Sequence, residues 1–276
     1  ADHPDVRSLE HRIAKLESGS APGDGEGPPD DEAGAPQGPT HPSSQLSLTN
    51  YARMIHKTGR GIQTEDALWR SLNQKCQHLG DGDPAALTTR NNLARFLQAS
   101  GKFEEAEQQL RRGKQDSESA LGPGHLVTLT FTNNLALLLQ TIGRQEEAEE
   151  LFHLAVASYK QTLGPRHRYT LTVLHNLAVL LRAAGKLRRS EPIFQEVLAG
   201  RVETLGQDHP DTMASLDGLA SLLQEVDKPQ DAEPLLRRAF ETNTAKYGLG
   251  HTNALVVLQN LAQVLKELGR SEDVEA

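Results

Sequence analysis

The chain has 276 residues, with 29 basic and 37 acidic side chains and a formal net charge of −8 at pH 7. Five acids and no basic group fall within residues 18–45, so the rest of the chain is close to neutral. It lacks the clustered Lys and Arg that a phosphate backbone or an anionic membrane surface would require. The composition therefore argues against nucleic acid as a partner.

Cys76 is the single cysteine, which excludes an intramolecular disulfide and a cysteine-based zinc cage. No stretch approaches the roughly 18 apolar residues of a membrane span, and the first residues lack the pattern of a signal peptide. These features predict a cytoplasmic protein without membrane insertion. The absence of an initial Met and a helical pattern that stops at 271–274 indicate a fragment of a longer protein.

Two segments precede the main body of the chain. Val6, Leu9, Ile13 and Leu16 have heptad spacing, which predicts a short helix over residues 1–17 that is a candidate coiled-coil end, with dimerisation through upstream heptads. Residues 18–45 are rich in Gly, Pro, Ser and acids, a composition that buries too little apolar surface to offset the entropy of ordering. We interpret them as a disordered acidic linker.

From residue 46 onward the sequence repeats itself every 42 residues. A short element, usually Asn-x-Ala, marks each copy, and a turn residue follows seven positions after its Ala. The six elements are Asn50-Tyr51-Ala52, Asn92-Leu93-Ala94, Asn134-Leu135-Ala136, Asn176-Leu177-Ala178, Gly218-Leu219-Ala220 and Asn260-Leu261-Ala262. Residues 46–276 therefore hold about six repeats, the last one truncated.

The apolar spacing inside each repeat is helical. In the third copy, Leu129, Leu135 and Leu139 share one stripe before Gly143, which predicts a first helix, A, that ends there. A second helix, B, is predicted from Gln145 to Leu163. The pattern indicates an all-α fold, a right-handed α-solenoid of stacked helix-turn-helix repeats.

Two copies depart from the pattern. In the first, Ala67 falls three residues after the position that small residues occupy in helix B elsewhere, which predicts a shifted helix B. In the fifth, Asp227-Lys228-Pro229 replaces the glycine turn between the helices.

Small residues at Ala136, Ala148 and Ala155 form the pattern of tetratricopeptide repeats (TPRs), and the long unit is similar to those of kinesin light chains and nephrocystin-3-like proteins. The family's typical strings appear here as Leu205–Thr212, Asn91–Ala94 and Gly101–Glu107. The resemblance implies a protein-interaction adaptor for cargo or regulatory peptides, with cargo or kinesin heavy chain as partners and a link to the cytoskeleton. The alternative is a structural scaffold, as in nephrocystin-like proteins or the repeat end of a nucleotide-binding receptor.

Histidines also recur with the repeat, at His41, His125, His167, His209 and His251. Equivalent points in stacked helical repeats lie roughly 10 Å apart, whereas the ligands of one zinc all lie near 2 Å from it, so we expect these residues to pack loops or cap helices. Since no nucleophile, phosphate-loop or zinc-hydrolase motif occurs, we expect no enzyme activity, no cofactor and no metal. Trp69 is interpreted as a core or groove-edge aromatic, and Cys76 as a small buried group.

In TPR proteins, three positions of helix A face a concave groove, and the resemblance carries these positions onto this chain. Asn and Gln can bond both groups of an extended peptide backbone, and Arg can bind carboxylates bidentately, so we predict a groove for an acidic peptide. The alternative is that these are merely exposed helix positions. The predicted groove residues are Arg53, Asn91, Arg95, Gln98, Asn133, Gln140, His175, Arg182, Gln259 and Lys266. The second Asn of each motif, such as Asn134 or Asn260, is expected to bond the neighbouring repeat.

Overall fold

The computed structural model describes residues 61–248 and 252–269. The predicted coiled-coil end, the linker and Arg53 lie outside these residues. The described part is all α-helix, in the order α1 Gly61–Leu79, α2 Pro84–Ala99, α3 Phe103–Leu121, α4 Leu126–Thr141, α5 Gln145–Leu163, α6 Arg168–Ala183, α7 Leu187–Leu205, α8 Pro210–Glu225, α9 Pro229–Tyr247 and α10 Thr252–Glu267. The predicted class, an α-solenoid of helix-turn-helix repeats, is confirmed.

The helices form two compact units that meet in sequence at residues 143 and 144. The first contains α1–α4, in which each helix packs on the next and α2 also contacts α4. The second contains α5–α10, again with consecutive packing, and with α8 in contact with both α6 and α10. The even-numbered helices are the A helices of successive repeats, and within each unit they lie side by side.

The core of each unit follows from the repeated small residues. Ala106, Ala148 and Ala232 are fully buried, which lets the backbones of neighbouring helices approach closely. Larger side chains such as Phe152 and Phe194 fill the remaining space without exposure. Burial of these apolar groups is the main stabilising term in such repeats, because each helix pair contacts only its neighbours.

The two irregular copies keep the helix register. Thr64 of α1 is buried at the position that Ala106 and Ala148 occupy in α3 and α5. The predicted shift of this helix was therefore wrong: Thr64, not Ala67, occupies the site. In the fifth repeat, Asp227 adopts a left-handed backbone with φ of 57°, and Pro229 opens helix α9. Asp tolerates this conformation better than most non-glycine residues.

The repeated histidines cap helices. The ring Nδ1 of His125 accepts a hydrogen bond from Val127 N–H at 3.2 Å, and His167 and His209 make the same contact at 3.2 and 3.1 Å. The Asp83 carboxylate replaces histidine at the start of α2, accepting from Ala85 N–H at 2.8 Å. The expectation of a capping role is confirmed for these positions, since each cap satisfies a backbone donor that the helix leaves open.

Candidate functional site

The A helices of the first unit are joined by asparagine side chains. Asn134 on α4 donates its Nδ2–H to Asn91 Oδ1 on α2 at 2.8 Å, and Asn133 Nδ2–H donates to Asn134 Oδ1 at 3.2 Å. All three residues are buried. The interpretation of the second Asn as an inter-repeat bond is thereby confirmed for Asn134.

The second unit repeats the bond with a different acceptor. Asn260 on α10 donates to the carboxylate of Asp217 on α8, one repeat earlier. Asn134 and Asn260 occupy the same repeat position, as do their acceptors Asn91 and Asp217. We call this series of inter-repeat bonds the asparagine ladder.

Two of the predicted binding residues belong to the asparagine ladder and are buried. Asn91 and Asn133 each expose only 2% of their surface; Asn91 accepts a hydrogen bond from α4, and Asn133 donates to Asn134 on its own helix. They form the floor beneath the A-helix face. Longer polar side chains lie near them on the same helices.

In the first unit these longer side chains are Arg95 and Gln98 on α2 and Gln140 on α4, all partly buried. Gln98 and Gln140 occupy the same repeat position on α2 and α4, two helices that contact each other. Burial lowers the pKa of Arg95 to about 10, so the guanidinium still carries its charge at neutral pH. Among the described residues, the side-chain amides of Gln98 and Gln140 form no hydrogen bond.

In the second unit, His175 and Arg182 lie on α6 and are partly buried, whereas Gln259 and Lys266 lie exposed on α10. Burial, together with the nearby charges of Arg201 and Arg182, lowers the pKa of His175 to about 3, so its ring is neutral at pH 7. The edge of the ring meets Phe194, with the ring centroids 5.6 Å apart.

Arg182 is held only loosely. Its Nη1 donates to Gly218 O at 3.4 Å, and its Nε lies 3.8 Å from a carboxylate oxygen of Glu225. Both distances are longer than those of strong charge-assisted hydrogen bonds. The guanidinium is therefore available to a better acceptor.

A pocket of about 340 Å³ in the first unit lies away from the predicted groove residues and contains Trp69 and Cys76. Both residues are partly exposed, which corrects the interpretation of Cys76 as a buried group and places Trp69 at a pocket wall. The pocket also contains Arg90, whose Nη2 lies 3.0 Å from Asp81 and 3.6 Å from the Cys76 sulfur. Burial is the main cause that raises the pKa of the thiol. Sequence reasoning missed the pocket because its walls come from three helices.

These features define a helical repeat protein whose A helices are joined by asparagine side chains. The tetratricopeptide repeat family model matches residues 85–161, 127–201, 169–245 and 211–276. The chain therefore belongs to the tetratricopeptide repeat family, and it serves as a protein-interaction repeat domain of a scaffold family that is not catalytic. No curated protein matches the chain.

Among solved structures, the chain is similar to the kinesin light chain-like protein with nearly identical TPR-like repeats from Podosopora anserina. The two share 27% identity and a TM-score of 0.60 over 75% of this chain and 99% of that one. A single-substitution form of that protein matches with 27% identity and a TM-score of 0.61, over 74% of this chain and 97% of that chain. BtubC (BKLC) from P. vanneervenii shares the fold, with 20% identity and a TM-score of 0.68 over 78% of this chain and 87% of that chain. The predicted resemblance to kinesin light chain-like TPR proteins is confirmed.

Among residues 61–248 and 252–269, none of the helices combines the length and apolarity needed to cross a membrane.

Proposed function

We propose that this chain is an adaptor that binds extended, acidic peptide segments on the A-helix face of each unit. The observation that carries the proposal is a difference in hydrogen bonding between the Asn and the Gln side chains of the A helices. Asn91, Asn134 and Asn260 bond within the ladder, whereas Gln98, Gln140 and Gln259 have no side-chain hydrogen bond to any described residue. A primary amide with both groups open can pair with the N–H and C=O of an extended backbone.

The charges near these amides favour an acidic ligand. Arg95 accompanies Gln98 and Gln140 in the first unit, and Arg182 and Lys266 accompany Gln259 in the second. A guanidinium binds a carboxylate bidentately, which fixes orientation as well as adding energy. The proposed partners are cargo proteins or a kinesin heavy chain, as the resemblance implies. The proposed location of the chain is the cytoplasm, in association with the cytoskeleton.

The proposal is tested by probing an array of short, extended peptides with the full chain. Each peptide carries Asp at one position, and its twin carries Asn there. We expect preference for the Asp member, lost in the double variant R95Q/R182Q and weakened by added salt. The control R188Q removes an exposed arginine from helix α7, outside the A-helix face. Equal binding of the Asp and Asn twins by the unaltered chain contradicts the acidic-peptide proposal.

A further inference from the structure

The pocket of the first unit lies between two B helices, α1 and α3, and helix α2 also contributes to its wall. At the repeat positions of Arg90 and Gln109, the second unit has Leu216 and Leu235. Leu216 is buried in the apolar core of that unit, and Leu235 packs against the same core. The first unit therefore has a guanidinium and an amide where the second has apolar contacts, although buried polar groups add less stability than apolar ones of similar size.

Arg90 organises the polar groups of the pocket. It is buried, its Nη1 donates to Gln109 Oε1 at 3.0 Å, and its Nη2 lies 3.0 Å from Asp81 and 3.3 Å from Asp116. The exposed Arg112 forms ion pairs with the same two carboxylates, at 3.1 and 3.6 Å. Two guanidiniums and two carboxylates thus neutralise each other, and the carboxylate acceptors are engaged within the pocket.

The groups of the pocket that stay open are mainly donors. Since the Gln109 oxygen accepts from Arg90, its Nε2–H groups are left for a ligand. The indole of Trp69 and the side-chain amides of Asn73 and Gln77 form no hydrogen bond with any described residue. A complementary ligand is therefore neutral and presents more acceptors than donors.

A proline-rich segment has this chemistry. In the polyproline II (PPII) helix the backbone forms no internal hydrogen bonds, so every carbonyl is open, and each proline lacks an N–H. Such segments dock in grooves lined by aromatic side chains, and the partly exposed Trp69 supplies an aromatic wall. Trp69, Asn73 and Gln77 follow one another at four-residue intervals on α1, so they extend over about 12 Å, the length of about four PPII residues.

We propose that the pocket between α1 and α3 binds a proline-rich segment of a partner protein in the PPII conformation. Trp69 packs against a proline ring, and the open amides of Asn73, Gln77 and Gln109 donate to backbone carbonyls of the ligand. The site is built on B helices, so it is a second binding site that does not depend on the peptide function of the A-helix face. The PPII helix is already formed in free proline-rich chains, which lowers the entropy lost on binding.

The probe is decaproline, acetylated at its N-terminus and amidated at its C-terminus, and the control peptide is a capped Gly-Ser decapeptide. Trp69 is the only tryptophan of the chain, so its emission reports contact at the pocket without a label. We expect a saturable change in Trp69 emission with decaproline and none with the Gly-Ser peptide. Because the ligand is uncharged, added salt should leave its affinity nearly unchanged.

Substitutions in the full chain locate the bound peptide. N73A removes one open amide at an exposed position, and Q115A removes the amide at the equivalent exposed position of α3, outside the pocket. We expect N73A to weaken decaproline binding about fivefold, as loss of one neutral hydrogen bond predicts, while Q115A leaves it unchanged. W69L, measured by titration calorimetry, should weaken it at least tenfold, because an aromatic anchor is lost. Circular dichroism verifies that each variant is folded.

Three results would overturn the proposal. The first is that decaproline does not bind, or binds no better than the Gly-Ser peptide. The second is that N73A and W69L, both folded, bind decaproline as tightly as the unaltered chain does. The third is that W69L loses the binding of acidic peptides instead, which would assign the pocket to an acidic ligand.

The two binding proposals fail separately. The double variant R95Q/R182Q should bind decaproline like the unaltered chain, because neither arginine lines the pocket. Loss of Asp preference in the peptide array with decaproline binding intact contradicts the acidic-peptide function alone. Asp preference without decaproline binding contradicts the proline-rich site alone.

Discussion

Asn134 donates to Asn91 across 2.8 Å, which joins helix α4 to helix α2 at a point where neither amide meets solvent. Hydrogen bonds between buried amides are directional, so this contact fixes the register of the two helices as well as holding them together. The same contact removes the Asn91 oxygen from the set of groups available to a ligand.

Replacement of Asn134 by Ala is expected to destabilise the first unit by about 1 to 3 kcal/mol, because it leaves the Asn91 oxygen buried without a donor. Urea unfolding followed by the fluorescence of Trp69, which lies in the same unit, measures the change. N73A, at an exposed position of α1, is the matched control and should stay within about 0.5 kcal/mol. Equal unfolding midpoints for N134A and N73A would show that the ladder has no energetic role.

Glu149 on α5 joins two repeats through ion pairs. Its two oxygens accept from Lys186 Nζ at 2.6 Å and Arg189 Nη1 at 2.7 Å, and its side chain is 12% exposed. The hydrogen bond from Lys186, followed by that from Arg189, lowers the pKa of Glu149. E149Q should therefore reduce stability by about 1 kcal/mol at pH 7.

The sign of the pH dependence follows from the lowered pKa. The stabilisation by Glu149 is present above the ordinary carboxyl pKa of about 4.3 and is lost as the pH falls through the lower folded value. Thermal unfolding at neutral and acidic pH should show the E149Q deficit shrinking in acid. The exposed neighbour Glu150, changed to Gln, serves as the control. A deficit of constant size across this range contradicts the assignment.

His175 gives a second pH dependence. Its pKa falls to about 3 in the folded chain, chiefly through burial, and is about 6.5 when unfolded. Above pH 6.5 the ring is neutral in both states and stability is unaffected. As the pH falls below that value, the unfolded chain binds a proton that the folded chain excludes, so the unfolding free energy decreases until about pH 3.

The expected loss from His175 is about 2 to 3 kcal/mol at two pH units below 6.5. Unfolding midpoints of the unaltered chain and H175N, measured from neutral to acidic pH, test this expectation. The two curves should diverge as the pH falls, with H175N the less sensitive. Parallel curves would mean that His175 takes up its proton in the folded state.

Much of the fold followed from spacing alone, because a glycine turn, an Asn-x-Ala element and small residues recur in one register. Helix α5 begins at Gln145 and ends at Leu163, as predicted. The same periodicity could not reveal the depth of a side chain. Asn91 and Gln98 belong to one predicted set, but only the packing of α4 on α2 separates the buried amide from the accessible one.

The candidate site was less predictable because its character depends on exceptions to the repeat. Gly218 could be recognised in the sequence as the one member of its series that is not Asn. Its crowding by the Phe194 ring, which comes from a different helix, could not be recognised there. Contacts among three helices arise from tertiary packing that no local pattern encodes.

A last prediction concerns helices α3 and α4. A Cβ atom on Gly113 would lie 2.2 Å from Cε1 of Phe131, a ring that is 1% exposed. The equivalent pairs in later repeats are Ala155 with Val173, Val197 with Ser215 and Ala239 with Val257. Among these four pairs, the only aromatic ring, Phe131, is thus paired with the only glycine, Gly113.

G113A should destabilise the first unit, although Ala favours a helix over Gly by about 1 kcal/mol, because overpacking against a fixed ring costs about 1 to 3 kcal/mol. The double variant G113A/F131L should be more stable than G113A, since the smaller side chain makes room for the methyl group. Urea unfolding of both, with F131L alone as the reference for the lost ring, measures the coupling. If the two substitutions prove additive, Gly113 and Phe131 do not constrain each other, and the complementary sizes in the other repeats have another cause.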